Sequence, residues 1–181
     1  MKTKEEIIEL LRTDIQAFNA YRQELIEQEI YDLDLNHVGL RHTNLSRANL
    51  SGANLRGAIL YYANLRNADL SGADLRNTDL QNAYLGNAIL WNSDLSGANL
   101  WNANLYNANL YNADLWSADL RGAILRDAKL RCANLSNADL RGASLTFTDL
   151  RNANLKGTNL WDAKLDITNL SDTNLDKKQN K

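Results

Sequence analysis

Leucine stands at every fifth position from Leu35 to Leu175, 29 times in succession, and Ile30 extends the frame by one. Two residues before each of these leucines sits a small residue: Ala in 20 cases, Thr in six, Ser93 in one, with only Leu33 and Val38 larger. An α-helix cannot use this spacing. A step of five residues rotates a side chain by roughly 500°, a net change of about 140°, and scatters the leucines around the cylinder. A continuous strand fails as well, because an odd step sends successive leucines to opposite faces. The gap from Ala to Leu is two, which keeps both on one face of a short extended segment. The gap from Leu to the next Ala is three, which requires a bend. The chain therefore turns once per quintet.

The residues in the odd gap suit a corner. The second residue after leucine is Asn or Gly in 17 of the 28 cases from His37 to Asp172, among them Gly52, Gly57, Asn67, Gly72 and Asn77. These residue types reach positive φ at least cost. A path that turns the same way every five residues, with small and large apolar groups pointing inward, closes into a coil. Successive coils then stack through backbone hydrogen bonds about 4.8 Å apart. The fold class is an all-β solenoid.

The segments "ADLSG", "ANLRG" and "ANLSN" resemble the pentapeptide-repeat proteins, whose pattern is A(D/N)LXX, and the resemblance runs over residues 31–175 without an insertion. It implies a right-handed quadrilateral β-helix with four quintets, 20 residues, per coil. Residues 30–175 then make about seven coils and, at about 4.8 Å each, a rod about 35 Å long. Some members of the family act on a DNA topoisomerase by mimicking duplex DNA, and that activity enters as an alternative expectation.

The first 29 residues differ in kind. Thr3 offers a helix N-cap with Glu6 as its capping-box partner, and Ile7, Leu11, Ile15, Phe18, Leu25 and Ile26 recur at helical spacing. A second box-like signal at Thr13 to Gln16 allows one continuous helix or, as the favoured reading, a break into two. An amphipathic helical cap over the first coil, covering its leucines and strand edges, is the expected role. At the other end the polar segment 176–181 is expected to be a disordered tail, too polar to mask Leu160, Leu165, Leu170 and Leu175. A homodimer through this uncapped carboxy-terminal coil is the expectation, against a reading in which Thr158, Thr168 and Thr173 are wetter substitutes that make the edge tolerable.

Chemistry has little support. A solenoid filled by Ala and Leu offers no cleft for catalysis, and no cofactor or metal is expected. The aspartates Asp69, Asp74, Asp79, Asp94, Asp114 and Asp119 precede leucine and face outward as surface ladders. His37 and His42 are five apart and fall on successive corners rather than one edge, and Cys132 is a lone surface thiol. The longest apolar run, Ala58 to Ala63, is far short of the roughly 20 residues that span a bilayer. Glutamates near the amino terminus argue against a secretory signal, so a cytoplasmic location is expected.

Specificity must lie on the outward positions. Trp101, Tyr106, Tyr111 and Trp116 directly follow four successive leucines, which on a four-sided coil sets one aromatic on each face. In a 20-residue register Tyr84 and Ile124 flank this girdle on the side of Tyr106, and Ile89 and Trp91 adjoin Tyr111. These eight residues form the candidate surface for a protein partner. The competing reading is that such aromatics stabilise neighbouring strands by stacking. Arg121, Arg126, Arg131, Arg141 and Arg151 form a basic collar on the carboxy-terminal side of the girdle, interleaved with Asp119, Asp127, Asp139 and Asp149, which argues for an ion-paired surface and against nucleic acid. The net formal charge of the whole chain is −2. Residues 31–175 carry 14 Asp, no Glu and 13 Lys plus Arg, an excess of one acid, whereas a duplex mimic should be distinctly acidic.

Overall fold

The corner after each leucine governs the architecture. In the computed structural model, which describes residues 1–175, all 28 corner residues from His37 to Asp172 have left-handed φ, between 53° and 72°. The residue before each corner does not, and the following Ala N–H donates back to the leucine carbonyl, as Ala53 does to Leu50 at 3.1 Å. Each corner is thus a type II turn, which demands positive φ at its second central residue. Asn and Gly take it readily, but Tyr62, Cys132, Phe147 and the β-branched Ile167 adopt it too, and Ile167 at φ 54° is strained.

Every bridge in the solenoid is parallel and joins residue i to i+20, from Asp34 with Asn54 to Asp149 with Asn169. Four quintets therefore close one coil, and residues 34–173 make seven. We designate the faces I to IV by the residue preceding leucine in the first coil: Asp34, Gly39, Asn44 and Asn49. Three N–H groups of each interior quintet bond between coils, for example Leu50 to Asp69 O (2.7 Å), Gly52 to Ser71 O (2.8 Å) and Asn54 to Leu33 O (2.9 Å). The Ala N–H closes the turn. The fifth belongs to the residue after leucine, and the Asx side chain takes it: Asn49 Oδ1 accepts from Ser51 N and Asp69 Oδ1 from Ser71 N. This bond is the physical reason for Asp or Asn before most of the leucines, because a backbone donor is otherwise left to solvent.

The interior is dry. Leucines from Leu35 to Leu155 are fully buried, with the Ala column equally enclosed. At four of the six positions where Thr replaces Ala, its hydroxyl donates to a leucine carbonyl 23 residues earlier: Thr78 to Leu55, Thr148 to Leu125, Thr158 to Leu135 and Thr168 to Leu145, whereas Thr43 donates to Arg41 O and Thr173 to Leu170 O. The expectation that Thr158 is a wetter substitute is therefore corrected, since it is completely buried and its hydroxyl is satisfied. Going up the rod, burial of leucine falls away at Leu165, Leu170 and Leu175, which are only half-buried.

The amino-terminal segment forms two helices, α1 (Lys4–Thr13) and α2 (Ile15–Glu27). Thr3 and Glu6 make the reciprocal capping box, and Asp14 both ends α1 and caps α2 by accepting from Ala17 N. The break falls where the second polar signal stands. α2 ends in a Schellman arrangement: Ile30 N donates to Leu25 O and Glu29 N to Ile26 O, with Glu29 at φ 61°. Ile7, Leu11, Phe18, Tyr21 and Leu25 bury against the first coil. Polar side chains of the cap replace the missing coil beneath it. Lys4 donates to Asn36 O, Arg12 to Gly39 O and Arg22 to Ser51 O, while Asn19 Oδ1 accepts from Asn49 N. These are the ladder groups that an earlier coil would pair elsewhere in the rod. The polar tail expected at 176–181 lies outside the described residues.

Leu100→Asp places an unpaired charge in the dry column and should cost roughly 3–5 kcal/mol, whereas Trp101→Ala, one residue away on the surface, should cost no more than about 0.5 kcal/mol. Thermal unfolding followed by circular dichroism separates the two. Replacing Ile167 by Asn should instead stabilise the chain by roughly 1 kcal/mol, read as a raised midpoint, because Asn tolerates left-handed φ.

Candidate interaction surface

The register places the four girdle residues one to a face: Trp116 on I, Trp101 on II, Tyr106 on III and Tyr111 on IV. Their exposure is 41–49%, and Tyr84, Ile89, Trp91 and Ile124 lie between 37% and 45%. All eight project into solvent. Tyr84, Asn104 and Ile124 are stacked in one column of face III, beside the column of Tyr106. Ile89 is in the equivalent column of face IV, beside Trp91 and Tyr111, which are one coil apart. The structure thus gathers the candidates into a band over neighbouring coils, densest on faces III and IV.

The girdle backbone is held rigid, since the N–H groups of Trp101, Tyr106, Tyr111 and Trp116 each reach the Asx oxygen two residues earlier at 2.9–3.2 Å. Its rings are not. Among the described residues, ring-to-ring pairs occur only in the cluster of His42, Tyr61 and Tyr62, where His42 stacks on Tyr62 at 5.2 Å and meets Tyr61 edge-on at 5.4 Å. Cross-strand ring stacking therefore does not explain the girdle. The one candidate ring with a cationic cover is Tyr84, over which the Arg66 guanidinium lies 4.6 Å from the centroid. Where Tyr84, Ile89 and Ile124 replace Asx, the side-chain acceptor for the following N–H is given up, so these apolar groups cost the fold a turn bond.

Sequence reasoning passed over the His42–Tyr61–Tyr62 cluster and the exposed Ile59, Phe147 and Trp161. The 20-residue frame contains the signal, since Tyr62 is one coil above His42 and Tyr61 one coil above Arg41.

The faces differ in charge. The Asx column of face III reads Asn44, Asn64, Tyr84, Asn104, Ile124, Ser144, Lys164 and holds no carboxylate, whereas face I carries Asp34, Asp74, Asp94 and Asp114. Three of the five collar arginines pair through an Asp-Leu-Arg fork: Arg121 grips Asp119 at 2.9 and 2.7 Å, Arg141 grips Asp139 and Arg151 grips Asp149, and Arg76 makes the same fork with Asp74, whereas Arg131 follows Lys129 and has no carboxylate to fork with. Hydrogen bonds from Arg76 and Arg151 hold the carboxyls of Asp74 and Asp149 below the usual carboxylate range, and each pairing raises its arginine. For Asp139, burial pushes upward but the Arg141 bonds outweigh it, and the net displacement is downward. Arg126 pairs more loosely with Asp127 at 3.3 Å and lies over the Phe147 ring.

Hollows are shallow. One, of about 410 Å³, is a polar depression on face I bordered by Asn36, His37, Arg56, Asp74 and Arg76. A second of about 340 Å³ lies where Arg12 meets Gly39, Arg41 and Ile59. His37 and His42 occupy successive corners, and among the described residues no group of three potential ligands stands where it could hold a metal ion. No helix among the described residues is long and apolar enough to cross a membrane.

Comparison with known proteins follows the frame. A family model described as "Pentapeptide repeats" matches in eight copies, over residues 34–77, 73–110, 108–146 and 143–177. Among solved structures the chain is similar to HetL, a pentapeptide repeat protein involved in heterocyst differentiation regulation from the cyanobacterium Nostoc sp. strain PCC 7120. The two are 34% identical over 78% of this chain and 79% of that one, with a TM-score of 0.47. It is also similar to Rfr23, a pentapeptide repeat protein from the cyanobacterium Cyanothece 51142, at 31% identity over 88% and 99% of the two chains and a TM-score of 0.39. QnrB1, a plasmid-mediated fluoroquinolone resistance protein, is 17% identical over 82% and 88%, with a TM-score of 0.42. No curated protein matches.

The depressed carboxyls of Asp74 and Asp149 fix a direction for acid sensitivity. Their stabilising effect is complete above the unfolded value near 3.9 and is lost as pH falls through the lower folded values. Melting temperature should therefore decline as pH falls below about 4. The double variant Arg76→Met, Arg151→Met should show a shallower decline, by roughly 2–4 °C, because these pairs are partly exposed.

Proposed function

The chain belongs to the pentapeptide-repeat family, and from that premise we propose that it is a non-enzymatic interaction module, a rigid rod that presents side chains to a protein partner. The observation that carries this reading is the aromatic band. Trp101, Tyr106, Tyr111 and Trp116 stand at 41–49% exposure on a backbone fixed by Asx bonds, with no ring partner among the described residues. Large aromatics on a fixed backbone and without a ring partner are the side chains that anchor interfaces, because they bury much area at little entropic cost. A core filled by leucine and alanine leaves no room for an interior cleft among the described residues, which suits surface recognition better than chemistry.

The reading as a duplex mimic acting on a topoisomerase has less support. Its strongest argument would be an acidic surface, yet the coils carry one net negative charge and face III has no carboxylate in its Asx column.

We propose in addition that a second copy meets the last described coil. The half-burial of Leu165, Leu170 and Leu175 supports this, as do the Leu165, Ile167 and Leu170 N–H groups, which have no backbone partner among the described residues.

The double variant Trp101→Ala, Tyr106→Ala should keep its melting temperature and lose whatever partner the wild-type rod retains from a host lysate; retention by both proteins sinks the girdle reading. Added protein should leave DNA supercoiling by gyrase unchanged. Sedimentation should show a dimer whose dissociation follows Leu165→Glu, and a monomer at high concentration removes the second copy.

A further inference from the structure

Face III is unlike the other three, and the difference is concentrated between Arg66 and Arg126. Both belong to the column that directly follows leucine, three coils apart, hence about 14 Å along the axis. Between them lie Tyr84, Gly86, Tyr106 and Ile124. Gly86 is one of two repeat glycines without left-handed φ, and a Cβ there would meet only Tyr106 O at 3.7 Å and Arg66 Cγ at 4.0 Å. Neither backbone conformation nor crowding calls for glycine at this site. Its effect is to keep a third side chain out of the space between the Arg66 guanidinium and the Tyr106 ring. Arg66 has a ring beneath it but no carboxylate within ion-pairing distance among the described residues, unlike Arg76, Arg121, Arg141 and Arg151. Arg126 shares only its own corner residue, Asp127. The Asx column alongside is free of carboxylates over all seven coils. The surface is thus an aromatic and aliphatic floor with a cation at each end, Arg66 without a carboxylate partner among the described residues and Arg126 loosely paired with Asp127 at 3.3 Å.

We propose that face III takes an extended acidic segment of a protein partner, laid along the rod axis, with two carboxylates bracketing an apolar centre. An extended chain rises about 3.4 Å per residue, so carboxylates four residues apart match the Arg66–Arg126 separation. The proposal rests on the interaction-module reading and adds to it the face, the direction and the chemistry of the partner.

Fluorescence anisotropy with a labelled peptide containing Glu-Leu-Phe-Leu-Glu tests it, using Gln-Leu-Phe-Leu-Gln and Glu-Phe-Glu peptides as comparisons. The Glu-Leu-Phe-Leu-Glu peptide should bind roughly tenfold more tightly than either, and Arg66→Gln with Arg126→Gln should remove that advantage at unchanged melting temperature. Arg56→Gln, on face I, should have no effect. Equal loss in Arg56→Gln, no preference among the peptides, or tighter arginine-dependent binding of a DNA oligonucleotide overturns the proposal. A lysate partner released by Trp101→Ala, Trp116→Ala but retained by the face III double variant also overturns it, while leaving the interaction-module reading in place.

Discussion

A single backbone requirement, left-handed φ at the second residue after each leucine, underlies everything above it in the hierarchy. The turn it creates brings each short extended segment through a quarter of a circuit. Four such turns superimpose leucine on leucine and alanine on alanine, 20 residues on. The dry column follows from the turn, since only a path that bends every quintet keeps both apolar positions inside. The consequence reaches the surface as well: because the corners repeat without interruption from His37 to Asp172, every outward side chain has a fixed face and a fixed height. Positions that look unrelated in the chain, such as Arg66 and Arg126, become members of one column.

A second constraint explains the polar half of the motif. Four of the five backbone N–H groups in a quintet are satisfied by turn and ladder, and the fifth needs a side-chain oxygen one residue before leucine. Asp and Asn are therefore structural first. Where the chain abandons them for Tyr84, Ile89 and Ile124, it gives up a local bond for an exposed apolar group. The paired arginines show the opposite use of the same position: in Asp-Leu-Arg the carboxylate serves both the backbone and the guanidinium, and its charge is spent locally.

Much of this was legible in residue order alone. The inward pair, the corner and the coil follow from gaps of two and three, and the helical cap from Thr3, Glu6 and the spacing of Ile7, Leu11 and Phe18. The number of sides did not follow from spacing; it came from resemblance and is seen in the bridges between i and i+20. What residue order did not reveal was side-chain reach. That buried Thr158 hands its hydroxyl to Leu135 O, that Arg22 and Asn19 of α2 replace ladder partners of the first coil, and that His42 stacks on Tyr62 all depend on rotamers that periodicity does not encode. The unequal faces were hidden for a simpler reason: they emerge only when the chain is written in rows of 20.

The quarter-circuit geometry gives insertions and deletions an unusual grammar. Losing one quintet would leave leucine over leucine and the column dry, yet everything beyond the cut would be turned by a right angle against everything before it. Arg126 would then no longer share a side with Arg66. Losing four quintets would shorten the rod and restore the phase. Interior stability is thus indifferent to gaps of five, whereas a docking surface that spans several coils survives only gaps of 20, and lineages that keep such a surface should vary in length by whole circuits.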